Sequence, residues 1–373
     1  MTPPRILIAP DKFKGSLTAK EVCQAMSTGI KEVLAKAEIR TLPMADGGDG
    51  TLDILSNYLS LEHVNVHTVD PLGRSIVADY LIDETRAFIE VASASGIVLL
   101  EKSERNPLQT STYGTGLMVK DAIAKGKTEI YLLLGGSATN DMGLGIASAL
   151  GIEINDAMNL PITGKDLNSI KQVKLSPKQN LPKTTFTLLC DVTNPVFGPN
   201  GAAYVYAKQK GANDKEIKVL DQGLRHVTTI LQPFTDVDLT TLPGGGAAGG
   251  IGTGMVALFG AKLQSGFEAI AMLTKLKEHL NWADIVITGE GQIDSQSLQG
   301  KVVGKLVDLC FRQNKPCHVV VGHSALPSEQ PLPKGIASLY ALTDIESDVS
   351  ICMKEGDRLL FEIIKLWVKK YKK

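Results

Sequence analysis

Aromatic residues are scarce in this sequence, and neither sign of charge is in excess. Phe, Trp and Tyr make up 5% of 373 residues, and 39 basic side chains face 40 acidic ones, which leaves a formal net charge of -1. Without a basic surplus the chain lacks the broad cationic surface that holds nucleic acid by its phosphates. We therefore expect no nucleic-acid partner.

Cysteine and histidine are also few, and their spacing matches no common metal or disulfide pattern. The cysteines are Cys23, Cys190, Cys310, Cys317 and Cys352. They are odd in number, widely spaced and free of CxxC pairs, and the six histidines form no HExxH motif. These absences argue against a disulfide framework and a zinc site, and favour reduced thiols of the cytoplasm.

Long hydrophobic runs are missing as well. No window reaches the roughly 18 apolar residues of a membrane span. The run at residues 6–9 is too short for the apolar region of a secretory signal. The sequence therefore predicts a cytoplasmic protein with no membrane partner.

The order of predicted elements indicates an α/β fold of two domains, which the chain length also favours. A short strand at residues 5–9 precedes a capping box at Thr18 and Glu21, an amphipathic helix and a second strand. Strand-like alternation begins near residue 62, and the βαβ pattern resumes at Asp284. We predict a parallel-sheet domain from residues 1–61 and 284–373, and an inserted mixed-sheet domain at 62–283. The polar stretch from about 155 to 183 is expected to be a surface excursion.

Glycine is abundant, with 36 residues, and loops rich in glycine and acid follow several predicted strands. These loops lie at Asp11, Asp46, Gly135, Asp191 and Gly289. Ligands of open α/β sheets bind beyond the carboxyl ends of the strands. One such loop is usually a simple turn, but five of them favour a binding site.

Two glycine-rich runs, at 135–145 and 244–254, are candidates for phosphate binding, because glycines permit close backbone approach and helix N-termini attract anions. The candidate nucleotide-binding residues are Gly135, Gly136, Ser137, Thr139, Asn140, Gly246 and Gly249. Gly244, Gly246 and Gly249 formally match GxGxxG, the dinucleotide motif of a dehydrogenase, but no predicted strand precedes them. Close packing of small residues explains this second run equally well.

Candidate acidic and basic side chains lie closest together in the sequence near residue 290. Glu290 and Asp294 are candidate magnesium ligands, and Lys301 at the next helix start, like Lys12 after the first strand, would offset phosphoryl charge. A solvated turn is the alternative interpretation. Asp191 and Asn194 also lie after a strand, where the Asn-Pro sequence could simply form a turn.

The ordered set of motifs resembles bacterial glycerate kinases of the glycerate 2-kinase type. The matching runs are IAPDKFKGSL (8–17), ADGGDGT (45–51), GGSATND (135–141), CDVTNP (190–195), GAAGG (246–250) and TGEG (288–291), followed by Asp294, Gln296, Gly300 and Lys301. The resemblance implies a discontinuous flavodoxin-like domain, a mixed α/β domain and an active-site cleft between them. It also implies phosphorylation of D-glycerate by ATP with Mg²⁺, yielding 2-phosphoglycerate in much of the family.

Roles within this expectation follow from chemical type. The catalytic candidates are Lys12, Asp191, Asp294 and Lys301, with Asp191 or Asp294 as the base. The substrate-binding candidates are Ser16, Asp46, Gly47, Gly48, Asp49 and Asn194, and the magnesium candidates are Glu290 and Asp294. The family pattern is altered at Met142 and at residues 207–211.

Three matters stay open at this stage. The same kinase could give 3-phosphoglycerate. A non-catalytic binder of hydroxy acids is the rival from another class, and it would take up glycerate without ATP. Assembly into a homo-oligomer is possible.

Overall fold

The computed structural model describes residues 3–48, 50–155, 161–175, 184–294, 297–299, 301–327 and 331–371. Its strands are β1 (Arg5–Ile8), β2 (Glu38–Thr41), β3 (Glu62–Val69), β4 (Ser75–Ile82), β5 (Arg86–Glu90), β6 (Glu129–Leu133), β7 (Glu153–Asn155), β8 (Gln172–Lys174), β9 (Thr185–Leu189), β10 (Lys262–Gln264), β11 (Ile285–Ile293), β12 (Cys317–Ser324) and β13 (Ile336–Ala341). Its helices are α1 (Ala19–Val33), α2 (Thr51–Tyr58), α3 (Ala92–Ser95), α4 (Tyr113–Ala124), α5 (Leu144–Ala149), α6 (Ala202–Tyr206), α7 (Asp214–Leu231), α8 (Ala247–Phe259), α9 (Gly266–Leu273), α10 (Leu276–Trp282), α11 (Val302–Arg312), α12 (Val349–Lys354) and α13 (Gly356–Tyr371).

The start of α1 shows how local sequence sets an element. The Glu21 backbone N–H donates to Thr18 Oγ1 (3.2 Å), and the Thr18 N–H donates to Glu21 Oε2 (2.8 Å). Both bonds satisfy backbone donors that a helix start leaves without partners. The predicted capping box is confirmed, and the buried face of α1 carries Val22, Met26 and Ile30.

The first compact unit comprises Met1–Asp46 and Phe267–Lys373. Its parallel sheet has the order β13-β12-β11-β1-β2. Numbered within the unit, this order is 2-1-3-4-5 read from β2, the doubly wound arrangement of flavodoxin. The flavodoxin-like sheet built from both chain ends is confirmed. Apolar side chains of α1 and α13 join strand residues such as Ile8 and Ile287 in its core.

The second compact unit comprises Gly47–Gly266. Its sheet has the order β10-β9-β6-β5-β4-β3, in which β10, β9, β6 and β5 are parallel and β4 and β3 are antiparallel. The mixed sheet predicted for the inserted domain is confirmed. Its core includes Tyr80, Ile89, Leu132 and Leu188, which come from neighbouring strands.

The limits of the units lie about 15 residues before the expected boundaries, at 46/47 and 266/267 instead of 61/62 and 283/284. Helix α2 packs in the second unit, where the Leu52 N–H donates to Glu90 Oε1 at the end of β5 (3.1 Å). Helix α10 packs in the first unit, where the Arg40 guanidinium of β2 lies 4.1 Å from the centre of the Trp282 ring. An amphipathic pattern predicts a helix but does not say which sheet it covers. The cleft between the domains stays a prediction.

The expectation of a surface excursion after residue 155 is wrong for the described residues 161–174. Ile162, Leu167 and Ile170 are fully buried in an apolar cluster that also contains Leu220 and Leu224 of α7. A Cβ atom on Gly223 would lie 2.7 Å from that of Leu167, so the 3₁₀ turn at Gly164–Ser169 packs directly on α7. A few apolar side chains in a polar stretch were sufficient to bury it.

In the part of the chain that the structure describes, no helix combines the length and the apolar character needed to cross a membrane. The five cysteines are free, and Cys23, Cys310, Cys317 and Cys352 are buried.

Candidate active site

The first group of candidate residues lies at the switch point of the parallel sheet, where β1 and β11 are neighbours. In doubly wound sheets, ligands bind outside the carboxyl ends of the strands at this point. The Asp11 N–H donates to Gly289 O (2.8 Å), and Thr288 Oγ1 donates to Ala9 O (2.8 Å). These bonds fasten the loop after β1 to the carboxyl half of β11. They bring Asp11 and Lys12 to the strand that carries Glu290.

Four carboxylates and two lysines interact electrostatically at this strand edge. The pKa of Asp11 is raised to about 7, mainly by burial and also by Asp46 and Glu290, while Lys12 opposes the shift. Burial also raises the pKa of Glu290, while Ser297 and Lys301 lower it and Asp294 and Asp46 raise it. The structure therefore brings together the candidates Lys12, Asp46, Glu290, Asp294 and Lys301. Asp11 joins them and was not among the predicted site residues, although its loop was.

Glu290 has the chemical character of a residue that binds a cation. Its side chain is 6% exposed, and Oε1 has no hydrogen-bond partner among the described residues. Asp294 Oδ1 accepts from the Ser297 N–H (2.7 Å). Within the described ranges no three acidic, histidine or cysteine side chains form a metal-binding group. Magnesium commonly needs only one or two carboxylates beside substrate phosphates, so these two residues fit it.

Lys301 and Ser16 lie at positions that the local structure fixes. Lys301 caps the start of α11, and its half-buried ammonium lies 3.4 Å from Ser297 Oγ. The Ser16 hydroxyl donates to Met353 O (2.6 Å), which fastens the loop after β1 to α12. Lys301 is therefore part of the charged group, while the observed bond of Ser16 is structural.

The second group of candidates lies at the carboxyl ends of β5, β6 and β9 in the second unit. Because these strands are parallel, Glu90, Gly135 and Asp191 lie at one edge of the sheet. Gly47 belongs to the same edge, since a Cβ atom on it would lie 3.3 Å from Leu189 O at the end of β9. Gly48 O accepts from Thr51 Oγ1 at the start of α2. Asp49 lies outside the described residues.

The two glycine-rich runs pack against each other. The Met142 N–H donates to Gly249 O (3.1 Å), and the Gly249 backbone contacts Thr139 and Asn140 so closely that any side chain there would clash. The Gly246 N–H donates to Asn194 O (3.0 Å), which adds the loop after β9. No strand precedes the second run, as the sequence predicted.

Polar side chains of the loop after β9 already have partners within the fold. Asn194 Nδ2 donates to Asn200 O (2.9 Å), and Oδ1 accepts from the Tyr206 hydroxyl (2.6 Å). Asp191 Oδ1 accepts from Ser265 Oγ (2.7 Å). The Asn194 amide thus connects the loop after β9 to Asn200 and Tyr206.

Sequence reasoning missed two buried charged residues beside the Gly135–Asn140 loop. Lys210 Nζ donates to Ser137 Oγ (2.9 Å) and Thr139 O (2.8 Å). Burial lowers the pKa of Lys210 to about 7, and Asp141 opposes this shift. Burial raises the pKa of Asp141, although its carboxylate accepts from Thr112 N and Oγ1 and from the N–H groups of Gly143 and Gly145. Lys210 lies in the 207–211 segment noted as a departure, which was the only signal available.

A doubly wound domain with carboxylates and lysines at its switch point, joined in one chain to glycine-rich loops, defines an α/β enzyme. The glycerate kinase family model matches residues 6–371, and the chain belongs to this family. It is 38% identical over 362 residues to a glycerate kinase of Halalkalibacterium halodurans, covering 95% of both chains. It is 39% identical over 323 residues to glycerate 2-kinase of Escherichia coli K12, covering 85% of each. The crystal structure of a presumed glycerate kinase 2 from Salmonella typhimurium LT2 matches with a TM-score of 0.80 and 33% identity over 100% of both chains.

Proposed function

We propose that this protein transfers the γ-phosphoryl group of ATP to a hydroxyl of D-glycerate and that the product is 2-phosphoglycerate. The observation that carries the proposal is the extent of the family match, residues 6–371, which includes both groups of candidate residues. The name of the E. coli relative, glycerate 2-kinase, favours the 2-position. ATP dependence also favours a reaction in the cytoplasm.

Phosphoryl transfer requires positioning and charge compensation more than covalent chemistry. Lys12 and Lys301 are suited to bind the anionic groups of the reactants, because each carries a cation at the edge of the parallel sheet. Asp46 and the backbone of Gly47 and Gly48 are our candidates for the substrate hydroxyls, with Ser16, Asp49 and Asn194 as further predicted contacts. Asp191 or Asp294 would accept the proton of the attacking hydroxyl.

Glu290 and Asp294 would hold magnesium. Bound magnesium neutralises charge on the phosphate oxygens during transfer. Glu290 Oε1 is the atom best suited to this, because it is buried and lacks a hydrogen-bond partner in the described structure. Lys301 lies on the same edge and lowers the pKa of Glu290, which favours the ionised carboxylate that a cation requires.

The loop residues Gly135, Gly136, Ser137, Thr139 and Asn140, with Gly246 and Gly249, are our candidates for nucleotide contact. Glycine at the exposed position 136 lets phosphate oxygens approach the backbone, whereas Gly246 and Gly249 let neighbouring backbone pack closely. The observation in favour is that the two runs, separate in sequence, pack together. Assembly into a homo-oligomer stays a prediction.

Phosphorus NMR of the reaction products tests the proposal. Purified protein is incubated with ATP, magnesium and D-glycerate, with L-glycerate as the matched control, and signals are assigned with authentic 2- and 3-phosphoglycerate. We expect the 2-phosphoglycerate signal with D-glycerate. A 3-phosphoglycerate signal would support the glycerate kinase activity but contradict phosphorylation of the 2-hydroxyl. Unchanged ATP with folded protein would reject glycerate as substrate, and binding of D-glycerate under those conditions would favour the non-catalytic rival.

A further inference from the structure

Lys210 is a buried lysine without a direct ionic partner. Its side chain is 4% exposed, and its two hydrogen-bond acceptors are a hydroxyl and a carbonyl, Ser137 Oγ and Thr139 O. Among the described residues no carboxylate lies within 4.0 Å of its ammonium, although Asp141 acts on it at longer range. Burying an ammonium that has no ion pair costs free energy. An anion bound nearby would offset that cost.

Lys210 donates two hydrogen bonds to the Gly135–Asn140 loop. This loop contains buried polar atoms that have no hydrogen-bond partner in the described structure. Thr139 and Asn140 are fully buried, and Thr139 Oγ1, Asn140 Oδ1 and Asn140 Nδ2 lack hydrogen-bond partners in the described structure. Folding usually eliminates such atoms, because each buried unsatisfied group is destabilising. Two of the three atoms, Thr139 Oγ1 and Asn140 Nδ2, are donors on consecutive residues, which indicates that a bound ligand with acceptor oxygens satisfies them.

Backbone strain is concentrated at the same contact. Met142 and Ala248 have positive φ angles of 57° and 51°, and the other described non-glycine residues of this kind are Lys275 and Asn314. Ala248, Gly249 and Gly250 form a left-handed stretch at the start of α8, directly against Thr139 and Asn140. Strained backbone is most often retained where it shapes a ligand site.

We propose that Lys210 provides the charge of an anion site formed by Ser137–Asn140 and Ala248–Gly250, and that its ligand is the polyphosphate chain of the nucleotide. The inference rests on the proposed function, which supplies ATP. Ser137 Oγ accepts from Lys210, so its own O–H is available to donate to a phosphate oxygen. Thr139 Oγ1 and Asn140 Nδ2 add two further donors. Together with the Lys210 ammonium, these donors suit the charged oxygens of a phosphate chain.

Entry of the ligand requires the two segments to separate, because Thr139 and Asn140 are buried where they meet. Gly135 and Gly136 on one side and Gly249 and Gly250 on the other permit this movement, since glycine adopts more backbone conformations than other residues.

Two substitutions and a matched control test the site by calorimetry with inorganic tripolyphosphate and with ATP. Thr139→Val replaces the unpartnered hydroxyl by a methyl of the same shape, and Lys210→Met removes the buried charge. Lys208→Met is the control, because Lys208 lies with Lys210 in the 3₁₀ turn Lys208–Lys210 and is exposed. We expect Lys210→Met to weaken binding of both ligands about tenfold or more and Thr139→Val about threefold to tenfold. We expect the control to bind both ligands like the wild type.

Thermal melting and steady-state kinetics separate this role from a structural one. Thr139→Val should melt at the same temperature as the wild type or higher, and both variants should raise the KM for ATP more than that for D-glycerate. The proposed anion site would be overturned if both variants bound tripolyphosphate and ATP with the dissociation constants of the wild type. It would also be overturned if the variants raised only the KM for D-glycerate. If Lys210→Met does not fold, Thr139→Val and Ser137→Ala decide by the same measurements. The wild-type protein could make no phosphoglycerate and still bind tripolyphosphate through Lys210. That result would reject D-glycerate as the phosphoryl acceptor but support the anion site.

Discussion

Gly249 and Thr139 are in backbone contact so close that a Cβ atom on Gly249 would lie 2.1 Å from the carbonyl oxygen of Thr139. The contact joins the two glycine-rich runs, which lie about a hundred residues apart in the sequence. Gly249 also has a φ of +72°, which other residues rarely adopt. Two independent constraints therefore require glycine at this position.

We expect Gly249→Ala to reduce the free energy of unfolding by about 3 kcal/mol or more, since an added methyl clashes with backbone and strains φ. Gly260→Ala is the matched control: Gly260 ends α8 with a φ of +61° and nothing within 4 Å of its added Cβ. It should cost only about 1 kcal/mol, the left-handed penalty. Urea unfolding measures both values, and equal losses would show that the contact with Thr139 adds nothing.

Glu290→Gln should separate cation binding from stability. The variant removes a buried carboxylate whose pKa burial raises, so at pH 8 its free energy of unfolding should equal or exceed that of the wild type. The magnesium concentration for half-maximal rate should rise about tenfold or more, because a neutral amide binds the cation weakly. Glu278→Gln, at an exposed position on α10, is the control. A wild-type magnesium titration for Glu290→Gln would contradict its assignment as a ligand.

Asp294→Asn and Asp191→Asn test which carboxylate is the base. Asparagine keeps an oxygen that can accept from the Ser297 N–H or from Ser265 Oγ, so both variants should fold. We expect the larger loss of kcat, about a hundredfold, for Asp294→Asn, because Asp294 lies in the charged group with Glu290. The loss should be accompanied by a changed dependence of kcat on pH. Normal turnover by both variants would mean that neither residue is the base.

His318 should make stability depend on pH. Its Nδ1 lies 2.7 Å from Ser338 Oγ, its ring packs edge-on against Trp367, and burial lowers its pKa to about 4. An unfolded histidine titrates near pH 6.5. Between these values the unfolded chain binds a proton that the folded chain does not, so the contribution of His318 to stability decreases as pH falls from about 6.5 to 4.

His318→Asn should therefore lose less free energy of unfolding than the wild type over the same pH range. His67→Asn, at an exposed position in β3, controls for removing an imidazole. Urea unfolding at several pH values gives the slopes. Equal slopes for wild type and His318→Asn would show that His318 takes up its proton equally well when folded.

Much of the fold was predictable because its signals are local. The capping box at Thr18, the βαβ order and the period-two alternation of β3 and β4 each depend on neighbouring residues. The limits of the units were not predictable in this way. Helix α2 has an apolar face, but only the tertiary contact with Glu90 places it with the second sheet.

The candidate site was predictable as far as residue type and strand order reach. Parallel strands bring their carboxyl ends to one edge, which is why Lys12, Glu290 and Asp294 could be grouped from the sequence. Lys210 shows the limit: Lys208, two residues before it, is exposed, whereas Lys210 is buried and holds the Gly135–Asn140 loop. Two lysines in one short turn look alike in a sequence, and only the packing of the chain around them separates their roles.

Because the first unit is built from both ends of the chain, its sheet can be completed only after the second unit has been synthesised. Strand β1 has β2 as one neighbour, but its other neighbour is β11, and the paired residues Arg5 and Asp284 are 279 positions apart. When residue 266 leaves the ribosome, the whole second unit is available to fold, while one edge of β1 still lacks its partner strand. Closing a chain loop of that length makes the pairing slow. Exposed strand edges pair readily with other chains, so one edge of β1 stays open to such pairing until β11 has been made.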